Sequence, residues 1–184
     1  MIIIGIILIL VVLIIIFAIT TYNAIITLKN QTEEGFSTMD VYLKKRFDLI
    51  PNLVATVKGY AAHEAETLEK VIEKRNTAYQ AGEAGKIVQA EADMSNTIRG
   101  IFALSENYPQ LKANENFIDL QKQLQSIEND ISNARKYYNG CVKQYNTKIQ
   151  MFPASIIAGM FHFEKLSYFE VDNDTERKNV KVEF

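Results

Sequence analysis

The stretch DLIPNLVATVKGYAAHE, residues 48–64, has apolar residues at helical spacing, yet it also contains a proline, a lysine, a glycine and a His-Glu pair. Ile50, Val54 and Val57 recur every three to four residues, as the inner face of a helix requires. Three explanations of the polar residues compete: a catalytic or metal centre, an interrupted loop, or a bundle helix whose polar residues bind its neighbours. The rest of the chain decides between them.

The apolar period of this stretch continues on both sides. Its members are Leu43, Phe47, Ile50, Val54, Val57, Ala61, Leu68 and Ile72, and Leu49, Leu53 and Tyr60 widen the stripe. A stripe this wide contacts more than one neighbour. It therefore predicts a helix inside an antiparallel bundle of three to four long helices rather than a two-stranded coiled coil.

Two further helices and two turns complete this all-α prediction. The turn signals are AGEAGK, residues 81–86, and ENYPQLKANEN, residues 106–116. A shorter helix between them carries Ile87, Met94, Ile98, Ile101 and Leu104. A long final helix has an apolar seam formed by Phe117, Leu120, Leu124, Ile127, Ile131, Ala134, Tyr138, Cys141 and Tyr145.

Pro51 and Gly59 interrupt the first stripe chemically but not in phase. Because the period is kept across Pro51, we expect a kink, or a break with immediate restart, rather than an ordinary loop. Gly59 suits either the close approach of another helix or a position where glycine is merely tolerated.

The N-terminus predicts a retained membrane anchor. Residues 2–19, IIIGIILILVVLIIIFAI, have no polar side chain over 18 positions, about 27 Å of helix against roughly 30 Å of hydrocarbon. The run lacks the basic start and small-residue cleavage site of a signal peptide. The anchor positions are Ile2, Ile6, Leu10, Leu13, Phe17 and Ile19. Thr20, Thr21 and Tyr22 follow at the interface, and Lys29 beyond them favours a cytoplasmic soluble part.

The composition limits the partners. With 20 basic and 22 acidic residues and no basic block, the chain lacks the positive face that nucleic acids require. The predicted divisions are an anchor at residues 1–21, a bundle at 22–150, and a C-terminal cap with a polar tail at 151–184. The bulky segment 151–171 is either a cap over the end of the bundle or a surface for a partner or membrane, since its exposed apolar residues would form a large patch.

No motif for catalysis or a cofactor stands out. His63-Glu64 begins like H-E-x-x-H, but Thr67 replaces the second histidine, so a zinc site or small membrane enzyme at His63, Glu64 and Glu66 is only the alternative reading. Asp172, Asp174 and Glu176 lack the central glycine of a calcium loop. Cys141 suits a small core residue. We predict no enzyme activity, cofactor or metal.

The polar residues are instead predicted to tie helices together. Glu64 falls at an inward register if the stripe continues by sevens, where its carboxylate needs a basic partner such as Arg99 or Arg135; otherwise Glu64 lies in water. The set expected to be buried and structural comprises Asp48, Pro51, Asn52, Lys58, Gly59, His63, Glu64, Arg99, Arg135 and Asn139.

Long stretches of the chain resemble the LemA family. The resemblance rests on YNAIITLKNQTEEGFSTMDVYLKKRFDLIPNLVATVKGYAAHE (22–64), ENYPQLKANENFIDLQKQLQSIENDISNARKYYNGCVKQYNTKIQMFP (106–153) and VKVEF (180–184). It covers nearly the whole chain, including the anchor. Tyr42, residues 44–46 and Asn179 depart from the family's usual residues.

The resemblance implies a short extracytoplasmic N-terminus, one membrane helix and an antiparallel helical bundle without assigned catalytic residues. Relatives occur in many bacteria and include magnetosome-associated proteins, which implies a scaffolding role; membrane-protein quality control is another role that it allows. We therefore expect a single-pass scaffold or adaptor of the bacterial inner membrane that self-associates and binds membrane proteins.

Overall fold

The computed structural model describes residues 2–79 and 84–169. Its helices are α1 (Ile2–Lys58), α2 (Ala65–Tyr79), α3 (Ala84–Ser105), α4 (Pro109–Lys112), α5 (Glu115–Gln150) and α6 (Ala154–Met160), with a 3₁₀ turn at Ala62–Glu64. These ranges contain no β-strand. The all-α prediction is confirmed, including a long apolar first helix followed by helices that pack together.

The chain forms two compact units. Unit 1 consists of Met1–Val41 and Ser132–Tyr168, and unit 2 consists of Tyr42–Ile131 together with Phe169. Both α1 and α5 contribute residues to each unit. The boundaries that the sequence suggested at residues 21 and 150 do not coincide with this division and stay predictions.

Unit 1 is built on the antiparallel pairing of the two long helices. Gly35 lies so close to α5 that a Cβ atom there would be 3.3 Å from the Cα of Tyr138 and 3.3 Å from the ring of Tyr137. Further toward the N-terminus of α1, Ile25 is fully buried in a cluster with Tyr145 and Ile149. Glycine thus permits the close backbone approach that the hairpin needs.

Unit 2 is a bundle formed by residues 42–58 of α1, by α2 and α3, and by residues 115–131 of α5. Arg46 is hydrogen-bonded to Glu128, and Tyr60 accepts a hydrogen bond from Asn114, so α1 and α5 run in opposite directions here as well. The Phe102 and Phe117 rings meet edge to face, with their centroids 6.0 Å apart. The predicted antiparallel packing is therefore observed.

The first 18 described positions of α1 face outward. Every predicted anchor residue is exposed, namely Ile2, Ile6, Leu10, Leu13, Phe17 and Ile19. Among the described residues, α1 is the one helix that is long and apolar enough to cross a membrane, and none of the apolar window is buried. Burial begins immediately afterward, at Thr21 and Ile25.

Pro51 and Gly59 have local explanations. Helix α1 continues through Pro51, so the helix does not break and restart there. Gly59 follows the last residue of α1, and a Cβ atom there would meet only the carbonyl oxygen of Thr56 in its own chain segment, at 3.5 Å. Among the described residues, no neighbouring helix approaches Gly59 closely, which favours the tolerated glycine of the two sequence-based explanations.

The predicted helical faces agree with the observed burial. Along α5, seven seam residues are buried and Leu120 and Ile127 are partly buried. In α3, Met94, Ile98 and Ile101 are buried, whereas the side chain of Ile87 lies outside the described residues. The turn at 106–116 is present and contains α4. The helices flanking the other turn end at Tyr79 and begin at Ala84, while residues 80–83 are not described.

Replacing Gly35 tests the close contact in unit 1. We expect Gly35→Leu to lower the free energy of unfolding by about 1–3 kcal/mol, because the new side chain meets the α5 backbone. Gly140→Leu is the matched control, since a Cβ atom at Gly140 meets nothing within 4 Å. The control should be neutral or stabilising by up to about 1 kcal/mol, from better helix propensity.

Thermal unfolding of the full chain in detergent, followed by circular dichroism, measures both variants. Equal melting temperatures for Gly35→Leu and Gly140→Leu would contradict a close approach at Gly35.

Candidate functional site

The polar residues of the opening stretch lie on the outer face of α1. Asp48, Pro51, Asn52, Lys58 and Gly59 are all exposed, so the expectation that they are buried is wrong. We call this set the outer stripe. Within the described residues, the side chains of Asp48, Asn52 and Lys58 form no hydrogen bond or ion pair, so the outer stripe leaves polar groups directed at solvent.

The helical period explains the error. The buried residues Ile50, Leu53 and Val57 define the inner face of this part of α1. Asp48, Asn52 and Gly59 follow the same period about half a turn away, while Pro51 and Lys58 flank that outer face. The apolar stripe predicted from the sequence is therefore present, but the polar residues lie outside it, on the exposed side of the helix.

The remaining predicted residues are also less buried than expected. His63 and Arg99 are exposed, whereas Glu64, Arg135 and Asn139 are partly buried. Arg99 donates from Nε to the backbone oxygen of Ser95 in its own helix, at 3.3 Å.

The side chain that binds Glu64 is a tyrosine rather than an arginine. The hydroxyl group of Tyr108 donates to Glu64 Oε1 at 3.2 Å. The pKa of Tyr108 is raised, mainly because its hydroxyl loses hydration and also because the Glu64 carboxylate lies beside it. The hydroxyl therefore keeps the proton that it donates. Glu64 is therefore held by a neutral donor, and the expected arginine partner is not found for it in the described chain.

Some of the residues considered for metal binding lie within the described part of the chain. Among the side chains that the structure describes, residues 2–77 and 93–169, no three from His, Cys, Asp or Glu are grouped to hold a metal ion. Cys141 is buried, as expected for a core residue. The candidate calcium positions Asp172, Asp174 and Glu176 lie outside the described residues.

Unit 2 has a buried charge that the sequence analysis missed. Arg46 is 1% exposed, and its Nη1 donates to Glu128 Oε2 at 2.9 Å and to Ser95 Oγ at 3.1 Å. Ser95 in turn donates to Glu128 Oε1 at 2.5 Å. This arrangement, the Arg46 network, joins α1, α3 and α5. A buried guanidinium is stabilised only with such partners, so the network fixes which helices are neighbours.

A signal for Arg46 was present in the sequence. Leu43, Arg46, Ile50 and Leu53 are separated by three or four residues, so Arg46 lies on the inner face by register. A cleft of about 440 Å³ adjoins the network and is lined by both apolar and polar side chains of α3 and α5, including Phe102, Leu124 and Gln125.

The C-terminal segment of unit 1 is attached to α5 through side chains. Asn146 is buried and forms two hydrogen bonds with the backbone of Leu166, accepting from N at 2.9 Å and donating to O at 2.8 Å. Tyr145 donates to the carbonyl oxygen of Glu164 at 3.0 Å, and Tyr138 to that of Ser167 at 3.1 Å. Burial raises the pKa of both tyrosines, which keeps these donors protonated.

The same segment has two different faces. Ala154, Ile157 and Ala158 are buried, so this face packs within unit 1. Bulky apolar side chains remain exposed on its other face: Met151, Phe152, Ile156, Met160 and Phe161. The cap and the partner or membrane surface both stay predictions for this segment.

These features define a class: a helical bundle that carries one helix able to cross a membrane and exposes two unlike surfaces, a polar stripe and an apolar patch. The chain matches the LemA family over residues 35–184 and belongs to that family. The match begins at Gly35, so it does not include the apolar run, contrary to the expectation that the resemblance extends through the anchor.

The chain is similar to magnetosome proteins. It is 23% identical over 175 residues to magnetosome protein MamQ 2 of Paramagnetospirillum magneticum, covering 81% of this chain and 64% of that protein. It is 23% identical over 174 residues to MamQ of Magnetospirillum gryphiswaldense, covering 80% of this chain and 64% of that protein. It thus spans less than two thirds of these relatives. It is also 23% identical over 160 residues to Protein LemA of Metamycoplasma hominis, covering 86% of this chain and 72% of that protein.

Removing the anion from the Arg46 network should weaken unit 2. We expect Glu128→Gln to lower the free energy of unfolding by about 1–3 kcal/mol, or roughly 3–10 °C in melting temperature, because the buried Arg46 loses the negative charge of Glu128. The value lies below that of a fully buried pair because the Glu128 side chain is 45% exposed.

Glu66→Gln is the matched control, since Glu66 forms an exposed pair with Lys70 on α2. It should leave the melting temperature almost unchanged. If Glu128→Gln were as harmless as this control in calorimetry of the full chain, the network would not stabilise the bundle.

Proposed function

We propose that this LemA family protein is a membrane-anchored scaffold or adaptor that acts through protein contacts, including self-association, rather than through catalysis. The observation that carries the proposal is the pairing of two features on one helix: an exposed apolar run at residues 2–19 and, farther along, the exposed outer stripe. The first fits a bilayer, and the second offers polar groups to another protein.

The outer stripe supports contacts between molecules. Asp48, Asn52 and Lys58 leave an acid, an amide and a base without side-chain partners in the described part of the chain. A mixed polar face of this kind suits a moderate, specific interface better than a permanent apolar one. Polar residues expected to join helices within one chain are thus available to join separate chains.

Membrane anchoring strengthens such contacts. Confining copies to two dimensions raises their effective concentration, so a weak lateral interface becomes populated. The names of the MamQ relatives associate those proteins with the magnetosome, and we extend to this chain only an organising role at a membrane. We place the protein in the bacterial inner membrane with its bundle on the cytoplasmic side, and we propose membrane proteins as additional partners.

A cysteine on the outer stripe tests self-association. In a Cys141→Ala background, Asn52→Cys should form dimers with a short bifunctional maleimide in native membranes, because the outer stripes of two copies face each other. Asn129→Cys is the matched control, an exposed asparagine of unit 2 on α5. It should cross-link much less at the same expression level.

Absence of dimers for Asn52→Cys, or equal cross-linking at both positions, would rule out the outer stripe as the self-association surface. Elemental analysis of the purified full chain tests the alternative reading, since stoichiometric zinc or iron would favour a metal function at His63 and Glu64.

The same variants report which side of the membrane carries the bundle. A membrane-impermeant maleimide should leave Asn52→Cys unmodified in spheroplasts and modify it after permeabilisation, because the positive-inside tendency of Lys29 favours a cytoplasmic bundle. Asn129→Cys should behave in the same way. Modification in sealed spheroplasts would place the bundle outside the cytoplasm.

A further inference from the structure

The segment 151–163, MFPASIIAGMFHF, has an apolar surface that its own fold does not cover. Its 13 residues include no Asp, Glu, Lys or Arg. Phe152 is 81% exposed and Met160 is 69% exposed, and Met151, Ile156 and Phe161 are more than half exposed. Side chains of this size are rarely presented together to water in a soluble protein. We call these five residues the apolar patch.

Helix α6 carries large apolar side chains on both of its faces. It buries Ile157 together with the small Ala154 and Ala158, whereas Ile156 and Met160 point outward. The segment cannot simply turn over, because the hydrogen bonds from Asn146 and Tyr145 hold the residues that follow it. The outer face is thus suited to an apolar environment rather than to water.

The apolar patch lies beside the point where the apolar run of α1 ends. The ring centroids of Phe161 and Tyr22 are 4.7 Å apart, and those of Phe163 and Tyr22 are 5.7 Å apart. Tyr22 follows Ile19 by three residues, about 4.5 Å along a helix axis. Aromatic residues at such a position lie at headgroup level when the preceding run spans the bilayer.

The direction of α5 leads to the same place. Tyr138 lies next to Gly35, and Ile149 clusters with Ile25, so α5 advances toward the apolar run as it ends. The turn at Phe152 follows Gln150, and Phe161 after α6 meets the ring of Tyr22. The patch and the end of the proposed span therefore occupy one level of unit 1.

We propose that residues 151–163 form a second membrane contact, in which the apolar patch inserts into the lipid interface beside α1. The occupant is the lipid surface, because anchoring by α1 brings lipid to the level of Tyr22 regardless of any partner. The inference rests on the proposed membrane anchoring of residues 2–19. Two attachment points would fix the rotation of unit 1 about α1, which a single span leaves free.

The absence of tryptophan from the sequence makes a direct test available. The full chain carrying Phe152→Trp is reconstituted at low protein density into phosphatidylcholine vesicles with or without brominated phosphatidylcholine. We expect blue-shifted emission and at least two-fold quenching by bromine, stronger for bromine near the headgroup end of the acyl chain than near its methyl end, as for an interfacial segment.

Two control variants make each outcome interpretable. Phe17→Trp lies within the proposed span, about 7.5 Å along the helix from Tyr22, and should be quenched strongly by bromine in the acyl chains. Tyr137→Trp replaces an exposed residue at the level of Gly35, about 20 Å from Tyr22, and should emit as in water without quenching.

Quenching of Phe17→Trp without quenching of Phe152→Trp would overturn the second contact and leave the anchor intact. No quenching of Phe17→Trp would overturn the anchor itself. Blue-shifted emission from Phe152→Trp without bromine quenching would mean that protein covers the patch, and would also overturn the proposal. Adding Met160→Glu to Phe152→Trp should reduce the quenching at least two-fold if the two side chains enter lipid together.

Discussion

The apolar run and the inner face of unit 1 belong to one uninterrupted helix, and this constraint governs that unit. An α-helix satisfies its own backbone hydrogen bonds, so α1 can pass from lipid to protein surroundings without a loop. The exposed run ends at Ile19, and buried side chains begin at Thr21 and Ile25. Protein packing therefore starts within two helical turns of the last lipid-suited residue, and the end of α5 and the C-terminal segment pack at that level.

The helical period also separates two kinds of polar residue in unit 2. Arg46 shares the register of Ile50 and Leu53 and is buried with Glu128 as its partner. Asp48 and Asn52 differ from that register by about half a turn and lie in solvent. Neighbouring positions in the sequence thus have opposite roles: Arg46 specifies which helices pack together, and the outer stripe is available for other molecules. The register of a residue on the helix decides which of these two roles it has.

Features that depend on local periodicity could be predicted from the sequence. The α5 seam, the α3 face and the turn containing α4 follow from the spacing of apolar residues and from turn chemistry. Features that depend on distant partners could not. Asn146 is an ordinary polar residue in the sequence, and nothing nearby indicates that Leu166 will bind it.

Glycine shows the same limit. Gly59 lacks a side chain and so allowed either a close helix contact or a merely tolerated glycine, but the close contact occurs at Gly35 opposite Tyr138. Which glycine meets a neighbour depends on the alignment of α1 with α5, which periodicity alone does not fix. The candidate surfaces were harder still to predict, because the exposure of Asp48 or Phe152 is a property of the assembled unit.

The paired hydrogen bonds between Asn146 and Leu166 give unit 1 a separable closing element. One amide side chain supplies the donor and acceptor that a neighbouring β-strand would otherwise provide, so the extended residues after α6 need no sheet. Such an attachment can release and re-form while the helix hairpin stays folded, as in the local opening events detected by native-state hydrogen exchange. The last described residues of unit 1 then have an equilibrium of their own between an attached and a detached state.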